Sequence, residues 1–211
     1  MLAEQNSTVP ENVDESKSSH GWVKEVNNAR EYRDITDEAR ITLSSVTLNG
    51  GVDELLHQSS DLAWRTNMSP PHQALFTFAK KTDIAFVMLY LDHSRDESYC
   101  PQEVRIDLGW STNDLWHRVH RKVHEPAGWV VIPFYDKYGF PIRAMVLQMT
   151  VIKNHDKGRD CVIRHFRVIG PHRNRYECMS RFLKETSAIR DTEQTTESVR
   201  NMILNYHLSI R

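Results

Sequence analysis

From Ile41 onward, hydrophobic residues recur in short stretches separated by turn residues. "ALFTFA" alternates through Phe76 and Phe78, and "EVRIDLGW" sets Val104, Ile106 and Leu108 against Arg105 and Asp107. That period of two predicts strands with one face inward and one face, carrying Asp107, in water. "IAFVMLYL", Ile84 to Leu91, is apolar throughout and predicts a central strand covered on both faces. "GWVVIPFY" follows the turn "EPAG", and "IRAMVLQMTVI" and "CVIRHFRVIG" complete the series near Gly170-Pro171. No segment here carries the long helical pattern that a parallel βαβ sheet needs, so the region 41–171 is expected to be all-β, a sandwich or barrel.

The flanks differ. Residues 1–20 are rich in Ser, Glu and Asn with few large apolar groups, and are expected to be disordered. Over 21–40, Trp22, Val26, Ala29 and Tyr32 recur at helical spacing, predicting a short peripheral helix. Residues 172–196 are polar and mixed in charge, a flexible tether. Apolar character returns in 197–211 through Met202, Ile203, Leu204 and Tyr206, and the sequence closes on Ile210-Arg211.

Charge narrows the partners. The 211 residues carry 27 basic and 28 acidic side chains, interspersed, for a net charge of −1. Neither nucleic acid nor an anionic membrane is expected as a main partner, since both need a basic surface. Three cysteines, Cys100, Cys161 and Cys178, without CxxC spacing, argue against a disulfide framework or structural zinc and for a reducing compartment. No basic-then-apolar leader is evident at the start, and no apolar run approaches the roughly 20 residues of a membrane helix, so a soluble intracellular protein is expected.

Candidate chemistry sits in three polar loops. "LDHSRDESYCP" crowds Asp92, His93, Arg95, Asp96 and Glu97 between two strands, and carboxylate with imidazole is a zinc or manganese donor set. It lacks EF-hand spacing and any G-x-S-x-G elbow around Ser94 or Ser98, so it reads equally as a binding loop or a solvated turn. "KNHDKGRD", Lys153 to Asp160, is a hairpin turn or a second binding loop. "DLAWRTNMSPPH" carries Trp64, which either caps the core or stands exposed. No cofactor and no metal is expected. One competing use of such a sandwich is a carbohydrate-binding module with an aromatic platform, for which Trp64, Trp110, Trp116 and Trp129 are the available rings, Trp129 being the one expected in the core.

The runs "GVDELLHQSSDLAWRTNMSPPHQALFTF", "DESYCP", "EPAGWVVIP", "NHDKGRD" and "IRHFRVIGP", from Ser44 to Pro171, closely resemble the DOC-domain family of the anaphase-promoting complex, a multisubunit ubiquitin ligase of the cell cycle. The Ile210-Arg211 ending resembles the same family. The resemblance implies a jelly-roll β-sandwich similar to galactose-binding and discoidin-like domains, in the nucleus and cytoplasm. It implies no catalysis of its own: with a β-propeller coactivator, such a domain holds destruction-box degron peptides and promotes processive ubiquitination. Carried over by position, Ser98, Asn154, His155 and Lys157 would face the degron, with Asp96, Glu97, Tyr99 and Asp160 supporting the loops. Asp96 and Glu97 would also attract basic degron residues. Ile210 and Arg211 would dock on a tetratricopeptide-repeat subunit. Where the family commonly reads Asn-His-Gln-Asn-Gly-Arg-Asp, this chain has Asp156 and Lys157, which replaces an acceptor by a charge.

Overall fold

The computed structural model describes residues 32–137 and 139–172, and within them two antiparallel sheets face each other. One contains β1 (Tyr32–Asp34), β11 (His165–Pro171), β5 (Phe86–Asp92) and β8 (Ala127–Pro133), in that order. The other orders β2 (Ala39–Leu43), β4 (His72–Ile84), β9 (Ile142–Asn154), β6 (Pro101–Ser111) and β7 (Asp114–Lys122). A two-stranded ribbon, β3 (Trp64–Arg65) with β10 (Val162–Ile163), bridges one end. The only α-helical turns among the described residues are α1 (Val52–Leu56) and α2 (His93–Asp96).

Alternating side chains explain the layering. Ala74, Phe76 and Phe78 of β4, Val104, Ile106 and Leu108 of β6, and Leu147, Met149 and Val151 of β9 all point inward. They meet Val87, Leu89 and Leu91 of β5 and Phe166 and Val168 of β11. Phe76 stacks on Phe166 with ring centroids 4.6 Å apart, joining the sheets at the centre. Only Phe86 to Leu91 of the apolar run forms the central strand, flanked by β11 and β8, because Ile84 closes β4 in the other sheet. Phe86 and Tyr90 on its outer face are half-buried rather than covered.

Three expectations are corrected. The described part of 21–40 is not helical: Tyr32–Asp34 pairs with Gly170 and its neighbours, Thr36–Glu38 makes a 3₁₀ turn, and Ala39 opens β2. Ile35 is fully buried, and Thr36 Oγ1 accepts the Val168 N–H at 2.8 Å while donating to Asp34 Oδ1 at 2.5 Å. An otherwise bare β11 edge thus captures a segment whose local pattern suggested a helix. Among the described residues the sandwich therefore begins at Tyr32 rather than at Ile41. Asp107, expected in water, is 1% exposed, because Arg105 Nε at 2.7 Å and Arg118 Nε at 2.5 Å converge on its two oxygens. Residues 1–31, the tether from 173 and the segment 197–211 lie outside the described residues. No described helix is long and apolar enough to cross a membrane.

Candidate functional site

Three loops converge at the end of the sandwich where β5, β7 and β9 finish. The β5–β6 loop starts with Asp92, whose carboxylate accepts the Ser94 hydroxyl at 2.6 Å and the Arg95 N–H at 3.3 Å, nucleating α2. Asp96 then turns inward. Its oxygens accept Arg164 Nε at 2.9 Å and Nη2 at 2.6 Å, and Arg164 Nη1 donates to Ser60 O at 2.5 Å. Both partners are buried, so the bidentate pair fixes the loop to the β10–β11 junction and to the segment before β3. Asp96 is thereby tied to the β10–β11 junction. It offers no free charge to a basic ligand, since Arg164 occupies both oxygens.

The β9–β10 loop is closed from within. Asn154 Nδ2 donates to Gly158 O at 3.1 Å and Asp160 O at 2.8 Å, while Asp156 and Lys157 take left-handed backbone at φ 49° and 60°. His155 turns into the protein. Its backbone N–H and its ring Nδ1 both reach Cys100 O at 3.0 Å, and its Nε2 accepts the Glu125 N–H at 3.3 Å. These partners set the tautomer: the proton sits on Nδ1, which donates to the carbonyl, leaving Nε2 to accept. The His93 ring lies 4.5 Å from that of His155. Asn154 and His155 are 2% and 5% exposed, so they do not face outward as the resemblance suggested. Asn154 closes its own loop, and His155 ties it to the β5–β6 loop through Cys100 and to the β7–β8 loop through Glu125.

Gly158 shows how closely the loops meet: a Cβ built there falls 1.7 Å from Ser98 O. Glu97, Glu125, Asp156 and Lys157 are four of the five non-glycine residues with positive φ among those described. All four lie in these loops, and such backbone strain concentrates where surrounding structure imposes a geometry. The outward rim is Glu97, Ser98, Tyr99, Asp156, Lys157 and Arg159, with Ser98 half-buried and the others exposed. The Ser98 hydroxyl makes no hydrogen bond among the described residues, and it stands beside the Lys157 loop. Asp160 lies behind this rim, half-buried, with its backbone carbonyl held by Asn154. The arrangement offers short polar groups on an inflexible base, which suits backbone recognition of a peptide.

The two described thiols are shielded. Burial, reinforced by Asp96 and Asp92, pushes the Cys100 thiol up to about 12, and burial holds Cys161 well above its ordinary value. Both are therefore protonated thiols at neutral pH. Among the described residues no three His, Cys, Asp or Glu side chains group as metal ligands. Nor do the tryptophans form one platform. Trp64 is buried and donates to Ser45 O at 2.8 Å, and Trp129 stacks on His165 at 5.6 Å. Trp110 and Trp116, 5.9 Å apart, lie at the far end of β6.

A family model described as "Anaphase-promoting complex, subunit 10 (APC10)" matches residues 4–195. The chain belongs to the anaphase-promoting complex subunit 10 family. It is 58% identical to anaphase-promoting complex subunit 10 of Caenorhabditis elegans over 100% of both chains. Against the Drosophila melanogaster subunit 10 it is 36% identical, over 66% of this chain and 71% of that one. Against subunit DOC1 of Saccharomyces cerevisiae it is 28% identical, over 88% and 74%. Among solved structures, the family 32 carbohydrate-binding module of Clostridium perfringens NanJ, in complex with galactose, superposes with a TM-score of 0.54 at 14% identity, covering 65% of this chain and 98% of that one. At that identity the likeness gives the subunit 10 chain its fold alone, a jelly-roll β-sandwich.

Arg164 and Gly158, which the subunit 10 fold uses to seat the loops, were not singled out from sequence. Arg164 had a signal: a cation set among apolar residues in "CVIRHFRVIG" needs a counter-charge if it is buried. Gly158 had none beyond turn chemistry, because the atom it makes room for is 60 positions away in sequence.

Proposed function

We propose that this chain is a non-catalytic substrate-recognition subunit of the anaphase-promoting complex ubiquitin ligase. With a β-propeller coactivator it forms a shared receptor for destruction-box peptides of cell-cycle substrates, in the nucleus and cytoplasm, and so promotes processive ubiquitination. The observation that carries this reading is the match over both full lengths to a relative named as subunit 10. The loop geometry supports it: Ser98, Tyr99 and Lys157 form the contact surface, while Asn154, His155, Asp96 and Asp160 position it. Each polar contact contributes only about 0.5 to 1.5 kcal/mol. A second receptor sharing the same peptide raises the effective concentration and turns weak contacts into useful residence time.

Reconstituted ligase lacking this chain, supplemented with wild type or Ser98→Ala, tests the reading. Degron crosslinking to the chain and the number of ubiquitins added per binding event should both fall in the variant, the contact weakening about two- to tenfold. Unchanged crosslinking and processivity would remove Ser98 from the contact. Ile210 and Arg211 are proposed to dock on a tetratricopeptide-repeat subunit, so their deletion should reduce co-purification of the other subunits.

A further inference from the structure

Beside the loop surface, the outer face of β7–β6–β9 carries charge that the peptide contact does not use. Register places Lys122 and Lys153 on either side of Glu103, and Arg118 opposite Asp107 with Arg105 along the same strand. Four cations thus share two carboxylates, one of which, Asp107, is already bound by both arginines. Glu103 lies 3.8 Å from His120, and neither Lys122 nor Lys153 has an ion pair among the described residues. From Leu115 to His124 the chain contains no acid at all.

This face has a groove. Gln102, Glu103, Lys122, Val123, His124 and Lys153 line a volume of about 360 Å³. It is continuous with the loops: Lys153 precedes Asn154, and His124 precedes Glu125, whose N–H is held by His155. Beyond it, β7 is an edge of its sheet, with one side unpaired among the described residues. Charges on an edge strand also discourage unwanted pairing. That purpose would explain Arg121 and Lys122 but not Lys153, which belongs to the interior strand β9.

We propose that the groove between Lys122 and Lys153 binds an acidic segment adjoining the peptide held by the loops, so that the chain favours degrons flanked by carboxylates. The inference rests on the loops being a peptide site. The occupant is an extended acidic stretch because the groove adjoins the loops and its two cations without ion pairs among the described residues stand on β7 and β9, one on each side of β6.

The test uses the full chain and three fluorescent peptides: a destruction box flanked on either side by glutamates, the same core flanked by glutamines, and a scrambled core flanked by glutamates. Wild type should bind the glutamate-flanked degron about three- to tenfold more tightly than the glutamine-flanked one, with the gain shrinking as salt rises. Lys122→Glu/Lys153→Glu should abolish the gain and leave glutamine-flanked binding unchanged. Equal binding of both degrons, or a gain that survives the charge reversal, overturns the proposal. So does an oligonucleotide that displaces the glutamate-flanked peptide better than unlabelled peptide does. If only glutamate-flanked peptides bind, scrambled core included and dependent on both lysines, the groove stands while the degron reading of the loops fails. Binding of no peptide overturns the groove.

Discussion

At the scale of residues, the loop end is held by a few atoms whose removal should be measurable. Gly158 has φ −54°, an ordinary value, so alanine there is excluded by space alone: its Cβ would meet the Ser98 carbonyl, which is backbone and cannot swing aside. Gly158→Ala should cost about 1–3 kcal/mol, read as a lower urea midpoint, and should weaken peptide binding by parting the two loops. Arg164→Met leaves Asp96 buried and uncompensated, which should cost about 3–5 kcal/mol. Adding Asp96→Leu removes the orphaned charge, so the double variant should recover much of the loss in a double-mutant cycle. A double variant no more stable than Arg164→Met would show that the pair's packing, and not its charge, matters.

At the scale of elements, β1 and the 3₁₀ turn after it decide where the domain starts. Ile35→Ala removes a fully buried side chain from the core and should cost about 2–5 kcal/mol. A chain starting at Ile41 lacks Ile35, Thr36 and the strand covering β11, and should unfold at a lower temperature than one starting just before Tyr32. Equal melting temperatures would mean that β1 adds nothing. Strand β7 carries a pH dependence. Burial lowers the pKa of His117, whose ring packs edge-on to Phe134. The unfolded chain then binds the proton more readily, so this contribution to stability is present above about pH 6.5 and is lost as pH falls below it. His117→Gln should flatten that slope in urea midpoints measured from pH 7.5 to 5.

At the scale of the whole molecule, Cys100 and Cys161 lie in the continuous core between the sheets, protonated and shielded. In a Cys178→Ser background, alkylation of both thiols at pH 8 should be slow and should track unfolding as urea is added, with one common midpoint. Fast labelling of either in native buffer would reveal a local opening behind the loops.

The sequence by itself was enough for the class of fold and for the position of its loops, because alternation and turn residues are local properties. Val104, Ile106 and Leu108 face inward as their spacing requires, and "DESY" and most of "NHDKGRD" lie between strands, as their turn chemistry requires. It did not determine direction or partnership within those loops. Asn154 and His155 read as ligand-facing, yet the carbonyls of Cys100, Gly158 and Asp160 draw them inward. Asp107 read as solvated until the register of β7 brought Arg118 across to it. Tyr32 fitted a helical spacing, and only the open edge of β11 made it a strand. His155 and Tyr32 chose partners across large gaps in sequence, Asp107 across a strand pairing, and Asn154 within a loop whose closure the neighbouring loops impose. Those choices follow from the free energy of satisfying buried donors, charges and strand edges, which exists only once the sheets have come together.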